Sequence, residues 1–261
     1  MLFINTRPID RAQALTQCLS QSGFEVLDLP LLELKPRPLT QSLKQLYSQL
    51  QDTQCIVVVS PTAVQIGMQY LQQAGILASQ IKHNIQWIAV GKKTAEALAE
   101  YQISSHVPEV ETSEGMLSLP IFNQLQDITQ IAFWRGKGGR QFMMQQCEER
   151  HIKVLNFVLY ERECPQTTLS KFYAWLPHIT QTEKPYWNCI SSEASWKYWI
   201  ALTKDHPDIL NDCHYLVLGE RLYQLLLDEK NNHQKCFNIT KILDLEPNTI
   251  LQMILQLQRK L

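Results

Sequence analysis

A set of strand-ending turns recurs along the chain after 128 positions, and this recurrence limits the fold more than any other feature. Arg7 and Arg135 each follow a short apolar segment, and Gly91 and Gly219 do the same further along the chain. An offset shared by well-separated pairs of turns predicts two similar units within one chain. The alternative is a chance match between two common local patterns.

Short apolar segments alternate with helical patterns over the whole length of 261 residues. The segment Ile56–Val59, for example, runs into Ser60 and then into a helical pattern that ends at Gly75. This alternation predicts an α/β fold with parallel sheets, in which the strand-to-helix turns meet at the carboxyl edge. Ligands of parallel sheets bind at that edge, so the turns are candidate binding sites.

The simplest arrangement of the repeat interleaves the two units in sequence. The first strand–helix–strand group then folds with the C-terminal third of the chain, and the middle of the chain forms the other unit. We therefore expect two domains with parallel sheets, joined by a two-stranded linker that acts as a hinge. A cleft between the two carboxyl edges would suit a large ligand. The expected boundaries are 1–35 plus 164–261 for domain 1, 38–160 for domain 2, and linkers near 35–38 and 160–165.

Composition narrows the class of protein. The net charge is −1, which argues against a nucleic-acid partner and against a charged membrane surface. The seven cysteines are odd in number and show no CxxC spacing, as expected for free thiols in a reducing compartment. No apolar run approaches the ~18 residues of a membrane span, and Met1–Ile4 is too short to be the apolar part of a signal peptide. We expect a soluble, cytoplasmic protein.

A glycine-rich, basic loop lies between two predicted strands in the middle of the chain, at residues 135–140 (RGKGGR). Such a loop at a helix N-terminus exposes backbone N–H groups and is typical of an anion site. Gln141 replaces the last glycine of the dinucleotide fingerprint and no Gly-Lys-Ser/Thr follows, which argues against a nucleotide enzyme. A surface turn with solvated cations is the alternative interpretation.

Several of these turns match a known family in their order and spacing, over most of the chain. No single motif among them is specific. They are Thr6-Arg7-Pro8, Ser60-Pro61-Thr62-Ala63-Val64, Val90-Gly91 with Thr94-Ala95, Val107-Pro108, Ser113-Glu114-Gly115, Arg135-Gly136 with Gly139-Arg140, Val158 with Tyr160 and Arg162, and Ser191-Ser192. In this set of residues the chain resembles the uroporphyrinogen-III synthases.

The resemblance implies two similar flavodoxin-like domains, interleaved in sequence, and a cyclising hydro-lyase of tetrapyrrole (haem) biosynthesis. The implied substrate is hydroxymethylbilane, a linear tetrapyrrole with eight carboxylates. Enzymes of the family remove its terminal hydroxyl as water, invert ring D through a spiro intermediate and close the ring to uroporphyrinogen III. The resemblance implies no metal and no organic cofactor. We expect a monomer, and hydroxymethylbilane synthase is a candidate partner that could hand over the substrate. The sequence shows no HxxxH or Cys/His metal spacing.

Tyr160 matches the family's tyrosine and is expected to assist departure of hydroxide as a hydrogen-bond donor or weak acid. Alternatively, it is a strand-end aromatic residue with its hydroxyl in water. Thr94 matches the threonine of a Gly-x-x-Thr turn, and Ser60 and Ser191 end equivalent strands, although each of the three could simply cap a helix. The residues expected to bind the substrate are Arg7, Ser60, Thr62, Gly91, Thr94, Lys137, Gly138, Arg140, Ser191, Ser192 and Gly219.

Two turns in the C-terminal part depart from the family pattern. Leu222 stands where the Gly219 turn should have its threonine, and Ser191-Ser192-Glu193 lacks the usual proline. Substrate contacts in that domain are therefore the least specified part of the prediction. A protein of another class, a two-lobed module that binds or senses an anionic ligand without catalysis, would share the cleft but would not need Tyr160.

Overall fold

A computed structural model describes residues 1–77, 81, 85–122, 128–138, 141–232 and 235–259. The chain divides into two compact units, which consist of residues 1–33 with 163–261 and of residues 34–162. The described residues of each unit form an α/β fold around a five-stranded sheet. The predicted fold class is confirmed.

The strands are short and the helices follow them in regular alternation. In chain order the strands are β1 (Leu2–Asn5), β2 (Glu25–Asp28), β3 (Glu33–Pro36), β4 (Cys55–Val58), β5 (Gln86–Ala89), β6 (Gln130–Gly136), β7 (Lys153–Glu163), β8 (Tyr186–Ile190), β9 (Cys213–Leu218) and β10 (Asn238–Ile242). The helices are α1 (Ile9–Gln21), α2 (Gln41–Ser48), α3 (Pro61–Gln73), α4 (Lys92–Ala99), α5 (Ser113–Leu117), α6 (Phe142–Glu149), α7 (Gln166–Gln181), α8 (Glu193–Leu202), α9 (Pro207–Asn211), α10 (Gly219–Asn232) and α11 (Pro247–Gln258).

The first unit has the strand order β10-β9-β8-β1-β2, with parallel pairing from β10 to β2. Numbered within the unit, this is the 2-1-3-4-5 order of flavodoxin-like sheets. Apolar side chains cover both faces of the sheet, with Trp196 and Tyr215 on one face and Phe3 and Trp187 on the other. Burial on both faces explains why β1 and β8 are mostly apolar without alternation, with one buried asparagine in each, Asn5 and Asn188.

The second unit has the order β3-β7-β6-β4-β5. If β6 is counted as its first strand, β7, β6, β4 and β5 repeat the 2-1-3-4 order of the first unit. A parallel bridge between Ile88 and His106 takes the place of the fifth strand, and β3 is added at the opposite edge. Helix α3 packs on one face of this sheet and α6 on the other.

The strand register confirms the internal repeat. Phe3 pairs with Val26 in the first unit, and Ile131 pairs with Val154 in the second, so both partners are displaced by the same 128 positions. The register also corrects one predicted equivalence. The residue that caps α3 is Ser60 and the residue that caps α8 is Ser192, so Ser192, and not Ser191, is the counterpart of Ser60.

Two segments extend further than the sequence pattern predicted. Residues 33–36, of which Lys35 and Pro36 were expected to form a linker, make the edge strand β3 beside β7. Proline is tolerated there because an edge strand has an unpaired side. Strand β7 does not stop at Tyr160 but continues to Glu163.

Candidate active site

A cavity of about 390 Å³ lies at the carboxyl edge of the second unit's sheet. It opens where β4 and β6 lie side by side while the helices that follow them, α3 and α6, pack on opposite faces. This is the topological switch point of the sheet, where flavodoxin-like folds bind their ligands. The polar side chains that line it include Ser60, Glu111, Thr112, Arg135, Tyr160 and Arg162.

Tyr160 is almost completely buried at the wall of this cavity, with 3% of its surface exposed. Its hydroxyl lies 2.9 Å from the hydroxyl of Ser60. Ser60 in turn caps α3, since its Oγ accepts the N–H of Ala63 at 3.1 Å. The structure therefore brings together two of the predicted site residues and joins them to a helix N-terminus.

Arg135 is a buried cation beside Tyr160 and was not among the predicted site residues. It ends β6, only 4% of its surface is exposed, and its Nη1 lies 3.9 Å from the sulfur of Met144. Burial lowers the pKa of the Arg135 guanidinium below its usual value, and the nearby Tyr160 acts in the opposite direction. An arginine keeps its charge in proteins, so the cavity contains a fixed positive charge. The repeat pair Arg7 and Arg135 was the sequence signal that could have identified it.

The turn at the start of α4 holds a carboxylate of the protein itself. The backbone N–H of Lys92 donates to Glu111 Oε1 at 2.9 Å. The carboxylate lies so close to Gly91 that a Cβ there would come within 2.3 Å of Glu111 Oε2. Glycine at position 91 therefore allows an anion to approach the helix N-terminus. Glu111 was also missed by the sequence analysis, because no local motif marks it.

The other described residues predicted in the second unit are not among those that line the cavity. Thr94 is buried inside α4, with 2% of its surface exposed, and Thr62 is half-buried in the first turn of α3. Lys137 is exposed and its ammonium binds Glu161 at 2.9 Å, which lowers the pKa of that carboxyl. Gly138 is exposed and has a positive φ of 78°. Arg140 lies outside the described residues.

In the first unit the predicted residues lie at the strand-to-helix turns of their own sheet, and their described contacts are with that unit. Arg7 Nη1 donates to the carbonyl of Leu245 at 3.0 Å. Ser192 forms a capping box with Ser195, while Ser191 is half-buried at the preceding position. Gly219 opens α10 with a φ of 75°.

Leu222 packs in the core of the first unit with 5% of its surface exposed. Its counterpart in the repeat, Thr94, is buried to a similar extent. The departure from the family pattern at Leu222 therefore places an apolar side chain in a buried position, which suits helix packing.

Within the described ranges, no three His, Cys, Asp or Glu side chains are grouped so that they could hold a metal ion. None of the helices described there has the length and hydropathy that a membrane span requires. The polar side chains that line the cavity are the buried cation Arg135, a second arginine, one carboxylate, and three hydroxyls, of which those of Ser60 and Tyr160 are in contact.

Two solved structures share the fold of this chain. A methionine-substituted mutant of uroporphyrinogen III synthase from Thermus thermophilus superposes with a TM-score of 0.64 at 16% identity, and each chain is covered over 100% of its length. Uroporphyrinogen-III synthetase from Helicobacter pylori superposes with a TM-score of 0.56 at 16% identity, over 98% of this chain and 100% of that one. At this identity the similarity establishes the fold.

The topology and the cavity define the class: a flavodoxin-like α/β protein of two interleaved units, with a candidate anion site at the strand ends of one sheet. A family model described as Uroporphyrinogen-III synthase HemD matches residues 13–234, which is more than half of the chain. The chain belongs to the uroporphyrinogen-III synthase family.

Two relatives agree with this assignment. Uroporphyrinogen-III synthase of Proteus mirabilis is 26% identical over 166 residues, which cover 62% of this chain and 80% of the relative. The porphyrin biosynthesis protein HemD of Ruminiclostridium josui is 31% identical over 106 residues, which cover 40% of this chain and 21% of that protein.

Proposed function

We propose that this uroporphyrinogen-III synthase uses the cavity of the second unit to act on hydroxymethylbilane, and that Tyr160 assists the departure of the terminal hydroxyl. The reaction removes this hydroxyl as water, inverts ring D and closes the macrocycle. One observation carries the proposal: the Tyr160 hydroxyl is held 2.9 Å from Ser60 Oγ in a cavity that also contains the buried Arg135. A strand-end tyrosine in water would have neither neighbour.

The substrate and Tyr160 together account for every proton and electron pair in the proposed reaction. The C–O bond of the hydroxymethyl group breaks, its electron pair leaves on oxygen, and the phenol proton of Tyr160 moves to that oxygen to form water. The cation that remains on the bilane is attacked by ring D at its already substituted α-carbon, which gives the spiro intermediate. The bond from that carbon to the neighbouring bridge carbon then breaks, and the bridge carbon bonds to the other α-carbon of ring D, so that ring D is inverted when the macrocycle closes. The proton released when the ring closes restores the phenol, so the enzyme ends as it began.

We propose that positive potential at the turns holds the carboxylates of the substrate. Arg135 supplies a buried charge, and the N-termini of α3 and α4 supply N–H groups and the positive ends of helix dipoles. Buried Thr94 would act through its turn and not through its hydroxyl. The residues proposed to contribute by side chain or backbone, besides Arg135, are Arg7, Thr62, Gly91, Thr94, Lys137, Gly138, Arg140, Ser191, Ser192 and Gly219. Ser60 contributes through its backbone and the helix N-terminus that it caps.

Further properties of the enzyme are part of the same proposal. The two compact units are its domains, and the chain crosses between them at residues 33–34 and 162–163. The first crossing precedes the expected linker near 35–38, and the second lies within the expected linker near 160–165. The seven cysteines are all free thiols, which favours a reducing compartment and hence the cytoplasm. The enzyme is proposed to act as a monomer. The substrate closes spontaneously, which favours direct hand-over from hydroxymethylbilane synthase.

The test is the Tyr160→Phe variant, which removes only the hydroxyl. General acid catalysis contributes roughly 10²–10⁴-fold, so kcat should fall at least several-fold while KM and the circular dichroism spectrum stay unchanged. Tyr101→Phe, which removes an exposed hydroxyl in the same unit, is the matched control. If Tyr160→Phe turns over the bilane at the wild-type rate, Tyr160 has no catalytic role.

A further inference from the structure

The hydroxyl of Ser60 contacts two groups at once. Its oxygen accepts the N–H of Ala63 at 3.1 Å and lies 2.9 Å from the hydroxyl oxygen of Tyr160. A serine hydroxyl has one proton to donate and two positions at which it can accept. With the Ala63 N–H occupying one acceptor position, the Ser60 proton can still be donated to Tyr160.

Tyr160 reaches Ser60 because the pairing of β6 and β7 shifts by one residue. Arg135 pairs with Val158, but the next residue, Gly136, pairs with Tyr160 and not with Leu159. In a regular strand, neighbouring side chains point to opposite faces. Here Leu159 and Tyr160 belong to the same hydrophobic cluster, on the face covered by α3. The irregularity therefore turns Tyr160 toward the helix that Ser60 caps, as β-bulges near active sites often do.

We propose that Ser60 is a positioning residue for Tyr160, and that a directed chain of hydrogen bonds runs from the Ala63 N–H through the Ser60 hydroxyl to the Tyr160 oxygen. With the hydrogen bonds in this direction, the Tyr160 proton is left free to point into the cavity. The phenolate formed when Tyr160 gives up its proton is stabilised by the Ser60 O–H and by the positive end of α3. The inference rests on the proposed role of Tyr160 and assigns Ser60 an indirect function, separate from substrate contact.

The opposite direction of the same hydrogen bond would have the opposite effect. If Tyr160 donated to Ser60, its proton would be withheld from the leaving hydroxyl, and Ser60 would restrain the reaction. A third arrangement, in which Ser60 binds the bilane directly, would affect substrate affinity. The three cases predict different kinetics for one variant.

Ser60→Ala is expected to lower kcat about tenfold, the value of one hydrogen bond of about 1.4 kcal/mol, with KM unchanged. Ser60→Thr retains the hydroxyl and the extended backbone of the cap, and should restore kcat. Because Ser60 acts through Tyr160, the double variant with Tyr160→Phe should be no slower than Tyr160→Phe alone.

Loss of a helix cap by itself must be separated from loss of positioning. Thr40 caps α2 in the same unit by accepting the N–H of Leu43, away from the cavity, so Thr40→Ala is the matched control. Both alanine variants should lose a similar amount of unfolding free energy, because each removes one helix cap, and only Ser60→Ala should lose turnover.

The pH profile of kcat decides the direction of the hydrogen bond. The charged groups that line the same cavity, Glu111, Arg135 and Arg162, are identical in the wild type and in Ser60→Ala. If Ser60 donates to Tyr160, its removal disfavours the phenolate, and the alkaline fall in kcat moves to higher pH. A shift to lower pH would mean that Tyr160 donates, and it would overturn the inference.

The outcomes also separate this inference from the proposed function. Wild-type kcat in Ser60→Ala, or a raised KM with kcat unchanged, would overturn the positioning role while Tyr160→Phe remains slow. Wild-type kcat in Tyr160→Phe would instead remove the proposed function, and with it the basis of the inference.

Discussion

The ring of Tyr160 lies against the backbone of Gly136, so closely that a Cβ at position 136 would come within 2.5 Å of Tyr160 Cε2. Gly136→Ala should therefore push the ring away from Ser60. We expect kcat to fall toward that of Tyr160→Phe, together with a loss of about 1–3 kcal/mol of stability from overpacking. Steady-state kinetics and denaturant unfolding measure the two effects.

Gly75→Ala is the matched control for this change. Gly75 lies in the same unit and has a positive φ of 79°, but no atom of the described residues, apart from its chain neighbours, lies within 4 Å of the added Cβ. The variant should lose about 1 kcal/mol through backbone strain and keep its kcat. Equal loss of activity in the two variants would mean that the cavity responds to general destabilisation and not to displacement of Tyr160.

Glu111 places a negative charge at the helix N-terminus where a substrate carboxylate is proposed to bind. Glu111→Gln keeps an oxygen that can accept the Lys92 N–H but removes the charge. We expect KM for the bilane to fall about fivefold, which corresponds to about 1 kcal/mol of repulsion near a protein surface. Glu109→Gln, an exposed carboxylate close in sequence, is the control. A higher KM in Glu111→Gln would contradict the proposed repulsion.

The fold could be predicted from the sequence because burial on both faces of a sheet leaves continuous apolar runs, and glycine and serine turns mark their ends. The strand register has the same offset as the repeat, as Phe3–Val26 and Ile131–Val154 show, although the sequence did not predict which residues pair. The direction of Tyr160 could not be predicted, because simple alternation places it opposite Leu159 and the register shift is a tertiary effect.

Tertiary packing explains why the sequence did not predict the positions of several residues. Thr94 has the residue type of a ligand-binding turn, but its side chain is inside the helix packing. Glu111 reaches the Gly91 turn from a separate loop, so no spacing rule connects the two residues. Residues 33–36 contain proline and lysine, which favour a linker, yet their position at a sheet edge tolerates both.

Asn188 is an unusual side chain in the first unit's sheet. It is completely buried, and neither oxygen nor nitrogen of its amide has a hydrogen-bond partner among the described residues. The equivalent strand position in the other sheet is Ile56, which pairs with Trp87 as Asn188 pairs with Tyr215. A buried amide without partners costs about 1–3 kcal/mol.

Asn188→Val should therefore raise the unfolding free energy by about 1–2 kcal/mol and the Tm by a few degrees. Ile56→Val, an apolar truncation at the matching position, should lower stability by about 0.5–1.5 kcal/mol. Calorimetry of both variants measures the contrast. A Tm decrease in Asn188→Val comparable to that in Ile56→Val would show that the amide is stabilising.

His214 makes stability depend on pH. It stacks on Trp187 at 4.6 Å, its Nε2 lies 2.8 Å from Thr240 Oγ1, and burial lowers the pKa of its imidazole to about 4. The unfolded chain, with a pKa of about 6.5, binds the proton more readily than the folded chain. Stability should therefore decrease as the pH falls from about 6.5 toward 4.

The pH range from 7 to 5 excludes most of the carboxylate contribution, because carboxylates titrate mainly below about 4.5. The other six histidines are the same in the wild type and in a His214 variant, so comparing the two isolates His214. In His214→Gln the decrease in unfolding free energy across that range should be smaller than in the wild type. Equal slopes of stability against pH in the two proteins would exclude His214 as the cause. Denaturant titrations at several pH values provide the slopes.

We infer that this chain closes hydroxymethylbilane with inversion of ring D. The most direct measurement supplies the purified protein with bilane generated in situ from porphobilinogen, oxidises the products and separates the porphyrin isomers. Spontaneous closure gives the type I isomer. We therefore predict a dominant type III product from the wild type, and a ratio that shifts toward type I in Tyr160→Phe. Type I product alone, from wild-type protein shown to be folded, would mean that this chain does not close the bilane with inversion of ring D.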